Sequence, residues 1–109
     1  MALAAAATAE VIQDGPVLRV RGVLDVAGAM AVRASGEALI RAGSGPLTID
    51  LGESPVAHSA ALSLFLCWQR CAQSQQRPLN FVEVGESLRS LASLSGVDHY
   101  LSGFTAESH

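Results

Sequence analysis

Three consecutive runs limit what this chain can fold into. Pro46-Leu47-Thr48-Ile49-Asp50-Leu51 reads as a strand, Ser59 to about Gln76 as a long apolar helix, and Leu79-Asn80-Phe81-Val82 as a second short strand. A strand, a helix and a strand joined by short links demand a crossover, so the two strands run parallel in one sheet. Leu47 to Leu51 is apolar except for Thr48 and Asp50, as befits a central strand covered on both faces.

The flanks extend this unit. Ala9 to Gln13 and Val17 to Leu24 read as two strands around the turn signal Asp14-Gly15-Pro16, close enough to pair as a hairpin. Asp25 is placed to cap the helix that follows, Ala27 to Ala42. In that helix Ala27, Ala31, Ala34, Ala38 and Ala42 recur every three or four residues, which predicts a small-residue face lying close against the sheet. Gly36 costs up to about 1 kcal/mol in helix propensity there. Gly43-Ser44-Gly45-Pro46 ends the helix, and Arg77-Pro78 ends the next one. A third helix is expected over Glu86 to Ser95, with Leu88, Leu91 and Ala92 on one face and Gly96 as its C-cap. Val97 to Leu101 is left as a small edge strand or turn. The expected fold is a single α/β domain, a mostly parallel mixed sheet of four to five strands with three helices in the order ββαβαβα(β). It occupies residues 9–102, with residues 1–8 and 103–109 as flexible ends.

Composition removes several function classes. The chain of 109 residues suits one domain, and half of it is hydrophobic. The net charge is −3 and the seven basic residues are scattered, which argues against nucleic acid as a partner. All seven are arginine, the codon signature of a GC-rich genome and a pointer to a bacterium. The start of the chain has no basic segment of a secretion signal. The charge-free segment Ser54 to Gln69 is only 16 residues long, short of the roughly 20 that a spanning helix needs. A soluble, cytoplasmic protein without direct membrane insertion is expected.

Catalytic signatures are missing. Neighbouring His58 and Ser59 lack an orienting acid and an oxyanion-hole motif. No phosphate-binding loop or dinucleotide fingerprint occurs. Asp25, Asp50 and Glu53 can meet near the sheet edge, but such residues commonly serve as caps and loop solvation. Cys67 and Cys71 share a helix face one turn apart, read as two small buried hydrophobes, and form no metal-ligand set with the distant His58 and His99. No enzyme, cofactor or metal is therefore expected, and binding is the better reading.

The binding surface is expected around the start of the long helix. Ser59 there suits an N-cap, and equally a switch residue or the centre of a partner surface, since free amides and the helix dipole favour an anion. On a wheel of about 100° per residue, Ser63, Arg70 and Ser74 form a narrow polar strip, while Leu62, Leu64, Phe65, Leu66, Cys67, Trp68 and Cys71 spread around most of the rest. That apolar arc is about twice what one sheet covers. An exposed apolar patch anchored by Trp68 or Leu64 is one outlet; cover by neighbouring helices is the other.

The element order and several local patterns resemble the STAS family, the domain of anti-anti-sigma factors and sulfate-transporter tails. The marks are Gly22-Val23-Leu24-Asp25, Leu47-Thr48-Ile49-Asp50-Leu51, the helix entry Ala57-His58-Ser59 and Gly85-Glu86-Ser87-Leu88-Arg89. Family members usually carry Asp-Ser or Asp-Thr at that entry; here His58 replaces the acid and the hydroxyl remains. The closing Leu88-Arg89-Ser90-Leu91-Ala92-Ser93-Leu94-Ser95-Gly96-Val97 looks most like the small STAS subunits of Mla phospholipid transporters (MlaB type). The resemblance implies a non-catalytic subunit that binds and supports the ATPase of an inner-membrane ABC transporter, and through it a permease and a substrate-binding subunit. Such transporters maintain outer-membrane lipid asymmetry in Gram-negative bacteria. It also implies a partner surface of His58, Ser59, Ala60, Ser63, Leu64 and Trp68. The alternative within the family is an anti-anti-sigma factor switched by phosphorylation of Ser59, against which the missing acid at His58 weighs.

Overall fold

The computed structural model describes residues 9–54 and 59–103, apart from the Ser59 side chain. The expected flexible segment 1–8, the loop 55–58 and all but the first residue of the expected tail lie outside the described residues. Four strands form one sheet: β1 (Glu10–Asp14), β2 (Val17–Arg21), β3 (Leu47–Glu53) and β4 (Leu79–Val82), in spatial order β1-β2-β3-β4. The β1–β2 pair is antiparallel, with Asp14 opposite Val17 across a two-residue loop. Gly15 takes φ +62° in that loop, the positive value that tight hairpin turns require and glycine supplies at little cost. β2–β3 and β3–β4 are parallel.

Three helices connect or follow the strands: α1 (Val26–Ala42), α2 (Ser59–Ser74) and α3 (Glu86–Leu94). The crossovers β2-α1-β3 and β3-α2-β4 step in the same direction across the sheet. Since such connections are right-handed, they put α1 and α2 on one face, side by side and running the same way. Leu18, Val20, Leu47, Ile49, Leu51, Leu79 and Phe81 point from the strands into the core beneath them. Phe65 of α2 sits at its centre, with ring centroids 5.8 Å from Trp68 and 5.1 Å from Phe81. The other face of the sheet bears Arg19, paired with Asp14 and Asp50, and Arg21, paired with Glu10 and Glu53.

The ends of the elements show why these sequences stop where they do. The Asp25 carboxylate accepts the Gly28 amide at 2.8 Å, the expected cap. Gln76 adopts φ +56° after α2, and the Arg77 amide then reaches back to the Ala72 carbonyl at 2.9 Å. Among the described residues no fifth strand forms. A 3-10 turn over Asp98–Tyr100 leads to buried Leu101, and the Phe81 amide donates to the Ser102 carbonyl at 2.8 Å on the outer edge of β4.

One expectation about packing is overturned. Ala27, Ala31, Ala34, Ala38 and Ala42 all face solvent. The buried side of α1 is Gly28, Ala29, Val32, Gly36 and Ile40. A methyl group is a weak claim on the core beside valine and isoleucine, so the larger side chains decide which way the helix turns.

Candidate functional site

The long helix is apolar almost all round because it is covered almost all round. Ala61, Leu62, Leu64, Phe65, Trp68, Cys71 and Ala72 are buried, while Ser63, Arg70 and Ser74 form the exposed polar strip that the wheel predicts. Trp68 is 0% exposed and is no surface anchor. Its ring packs on α1 over Gly36, and its Nε1 donates to the Arg33 carbonyl at 3.2 Å. Leu64 is 3% exposed, touching the surface only at the floor of a groove. Both side chains are drawn inward because α1 and the sheet together span the arc that one sheet cannot.

That groove is the candidate site. It runs between α1 and α2, and its N-terminal half holds about 230 Å³ lined by Val26, Ala29 and Met30 of α1 and by Ala60, Ser63 and Leu64 of α2. The groove thus adds residues of α1 to the stretch of α2 singled out by the sequence. Met30 is 73% exposed and Val26 65%, the apolar lip that sequence reasoning missed. Their spacing of four residues on the helix was the available signal.

Ser59 is the first residue of α2, one position before the groove-lining Ala60. The Ser59 hydroxyl and the whole of His58 fall outside the described residues, so the arrangement brings together Ala60, Ser63 and Leu64 of the predicted set and sets Trp68 behind them.

The C-terminal half of the same groove is polar. Arg33, Glu37 and Arg41 of α1 face Arg70, Cys71 and Ser74 of α2, with Arg33 and Cys67 common to both halves. Glu37 accepts from the Arg33 Nε at 3.1 Å, and Arg41 approaches the other Glu37 oxygen at 3.8 Å. The hydrogen bond to Glu37 comes first among the influences that raise the Arg33 pKa above its ordinary value. Both cysteines are free; Cys71 is buried and Cys67 half-buried.

Two polar groups inside the domain serve the fold. Ser54 is buried and its hydroxyl donates to the Gly22 carbonyl at 2.7 Å, holding the ends of β2 and β3 together. Arg77 is also buried, and its guanidinium donates to the Ile40 carbonyl in the last turn of α1 at 2.7 Å and to the loop carbonyls of Gly45 at 2.8 Å and Ser44 at 3.2 Å. A cation placed there meets the partial negative charge of the helix terminus. The sequence marks Arg77 only as part of a helix stop.

The acidic residues near the sheet edge are likewise structural: Asp25 caps α1, Asp50 accepts the Gly52 amide and Glu53 pairs with Arg21. Among the described residues no three His, Cys, Asp or Glu side chains come together as a metal site, and no helix is long and apolar enough to cross a membrane.

A search of curated proteins finds no match to the chain. The family described as "Mlab, STAS domain" matches residues 7–103, nearly the whole length and all of the elements described above. With four strands and three helices in the order β-β-α-β-α-β-α, the chain belongs to the STAS domain family, in its MlaB-like branch.

Proposed function

We propose that this protein is the non-catalytic STAS subunit of an inner-membrane ABC transporter for phospholipids, where it binds the ATPase subunit and supports its assembly and activity. Through the ATPase it joins a permease and a substrate-binding subunit, and so stands at the cytoplasmic side of the inner membrane without entering it. The role of the transporter is the maintenance of outer-membrane lipid asymmetry.

The observation that carries this reading is the apolar mouth of the α1–α2 groove on an MlaB-like STAS domain. Two large side chains, Val26 and Met30, stand well out of the surface beside Ala60, Ser63 and Leu64. Exposed apolar groups grouped in this way favour a lasting protein interface. Ser59 at the head of α2 lies at the edge of that interface.

Affinity capture from native membranes, with mass spectrometry of the recovered proteins, tests the reading. The expected result is an ABC ATPase together with its permease. Recovery of a small kinase-like anti-sigma protein, with phosphate on Ser59, would overturn it in favour of the phosphorylation switch.

A further inference from the structure

The two halves of the α1–α2 groove form one continuous track. On α1 it follows Val26, Met30, Arg33, Glu37 and Arg41, at steps of three or four residues. On α2 it follows Ala60, Leu64, Cys67, Arg70 and Ser74 in the same rhythm. Because the helices run the same way, both stripes pass from apolar to basic at the same level. Met30 to Arg41 spans eleven residues, about 16 Å at 1.5 Å per residue, or three helical turns.

The basic end is at odds with the whole molecule. Three arginines gather there against the single carboxylate Glu37, in a chain whose net charge is −3. Glu37 already engages Arg33 and Arg41. Arg70 is exposed and has no ion pair among the described residues. Its guanidinium is available to an incoming carboxylate, and an arginine fork is well suited to bind one in two-point fashion.

We infer that the groove receives an amphipathic helical segment of the partner protein, about three turns long. Its apolar residues seat beside Met30 and Val26, and an Asp or Glu at its other end pairs with Arg70. The inference rests on the ATPase-binding reading and specifies the chemistry of that contact. The apolar half, at about 230 Å³, falls short of the roughly 300–1,000 Å³ typical of pockets that enclose small molecules. The lining instead extends over three turns of two helices, as helix-in-groove recognition requires.

The test uses the full chain and the ABC ATPase subunit that co-purifies with it, titrated calorimetrically at low and high salt. Arg70→Glu is expected to weaken binding at least tenfold and to flatten its salt dependence, with an unchanged melting temperature. Met30→Glu is expected to weaken it at least tenfold without that loss of salt dependence. Cross-linking then locates the facing acid, and its replacement by arginine restores affinity to Arg70→Glu. If Arg70→Glu binds as the parent chain does, the basic end plays no part and the inference fails while the ATPase reading stands. If the parent chain itself does not bind the ATPase, both fall together. Flotation with phosphatidylglycerol vesicles supplies a further check: binding that Arg70→Glu abolishes would assign the groove to lipid and overturn the inference.

Discussion

Gly36 of α1 lies directly beneath the indole of Trp68 of α2, so that a Cβ on residue 36 overlaps ring atoms Cζ2 and Cε2. This contact sets the distance between the two helices and hence the width of the groove between them. Gly36→Ala gains up to about 1 kcal/mol in helix propensity but incurs an overpacking cost of about 1–3 kcal/mol. A net fall in melting temperature is expected by calorimetry. A rise would show that the indole yields without cost.

Trp68→Glu and Met30→Glu separate fold from interface. The first buries a charge with no partner and is expected to unfold the domain, seen as loss of near-ultraviolet circular dichroism and a collapsed melting transition. The second changes a side chain 73% exposed and leaves the melting temperature within about 2 °C while partner capture is lost. Equal melting curves for both variants contradict the burial of Trp68.

Arg77→Met removes the buried donor that serves the carbonyls of Ile40, Ser44 and Gly45. A loss of about 1.5–3 kcal/mol in urea denaturation is expected, the range for hydrogen bonds from a charged group. Arg77→Lys recovers little, because one ammonium cannot reproduce the spread of the guanidinium nitrogens. Full recovery by lysine would mean that charge alone matters.

Gln76 occupies the left-handed region at φ +56°, where a side chain is strained. Gln76→Gly is expected to stabilise the domain by about 0.5–1 kcal/mol, since glycine reaches that conformation freely. A decrease in the denaturation midpoint would indicate that the glutamine side chain contributes contacts of its own.

Cys67 lines both halves of the groove and is half-buried, whereas Cys71 is buried. Maleimide labelling is expected at Cys67 several-fold faster than at Cys71, and bound partner slows it further. Labelling of Cys67 at one rate with and without partner places the interface elsewhere.

The sequence conveys some of these features plainly. β4 begins and ends at the predicted residues, because Pro78 before it and a polar stretch after it leave no other choice. Asp25 signals its cap through a carboxylate ahead of a helical run. Side-chain direction is harder to read. The alanine stripe of α1 has perfect helical spacing yet faces water, since Val32 and Ile40 outweigh it. Trp68 looks like an interface anchor on a helical wheel, which shows one helix and not the neighbour laid across it. Gly36 reads as a cost until the ring that needs its bare backbone is in view. Met30 and Arg77 escape because their roles depend on elements brought together from more than 30 residues away.

The sheet face that carries Arg19, Arg21 and Asp50 has a practical consequence. Each of its two arginines is already held between two carboxylates, and the face points away from the groove. Surface tethering, a fluorophore or a fused reporter attached through Thr48 or Asn80 on that side leaves the helices presented outward. An immobilised chain oriented in this way is expected to leave the groove open to solvent, whereas attachment through α1 is expected to obstruct it.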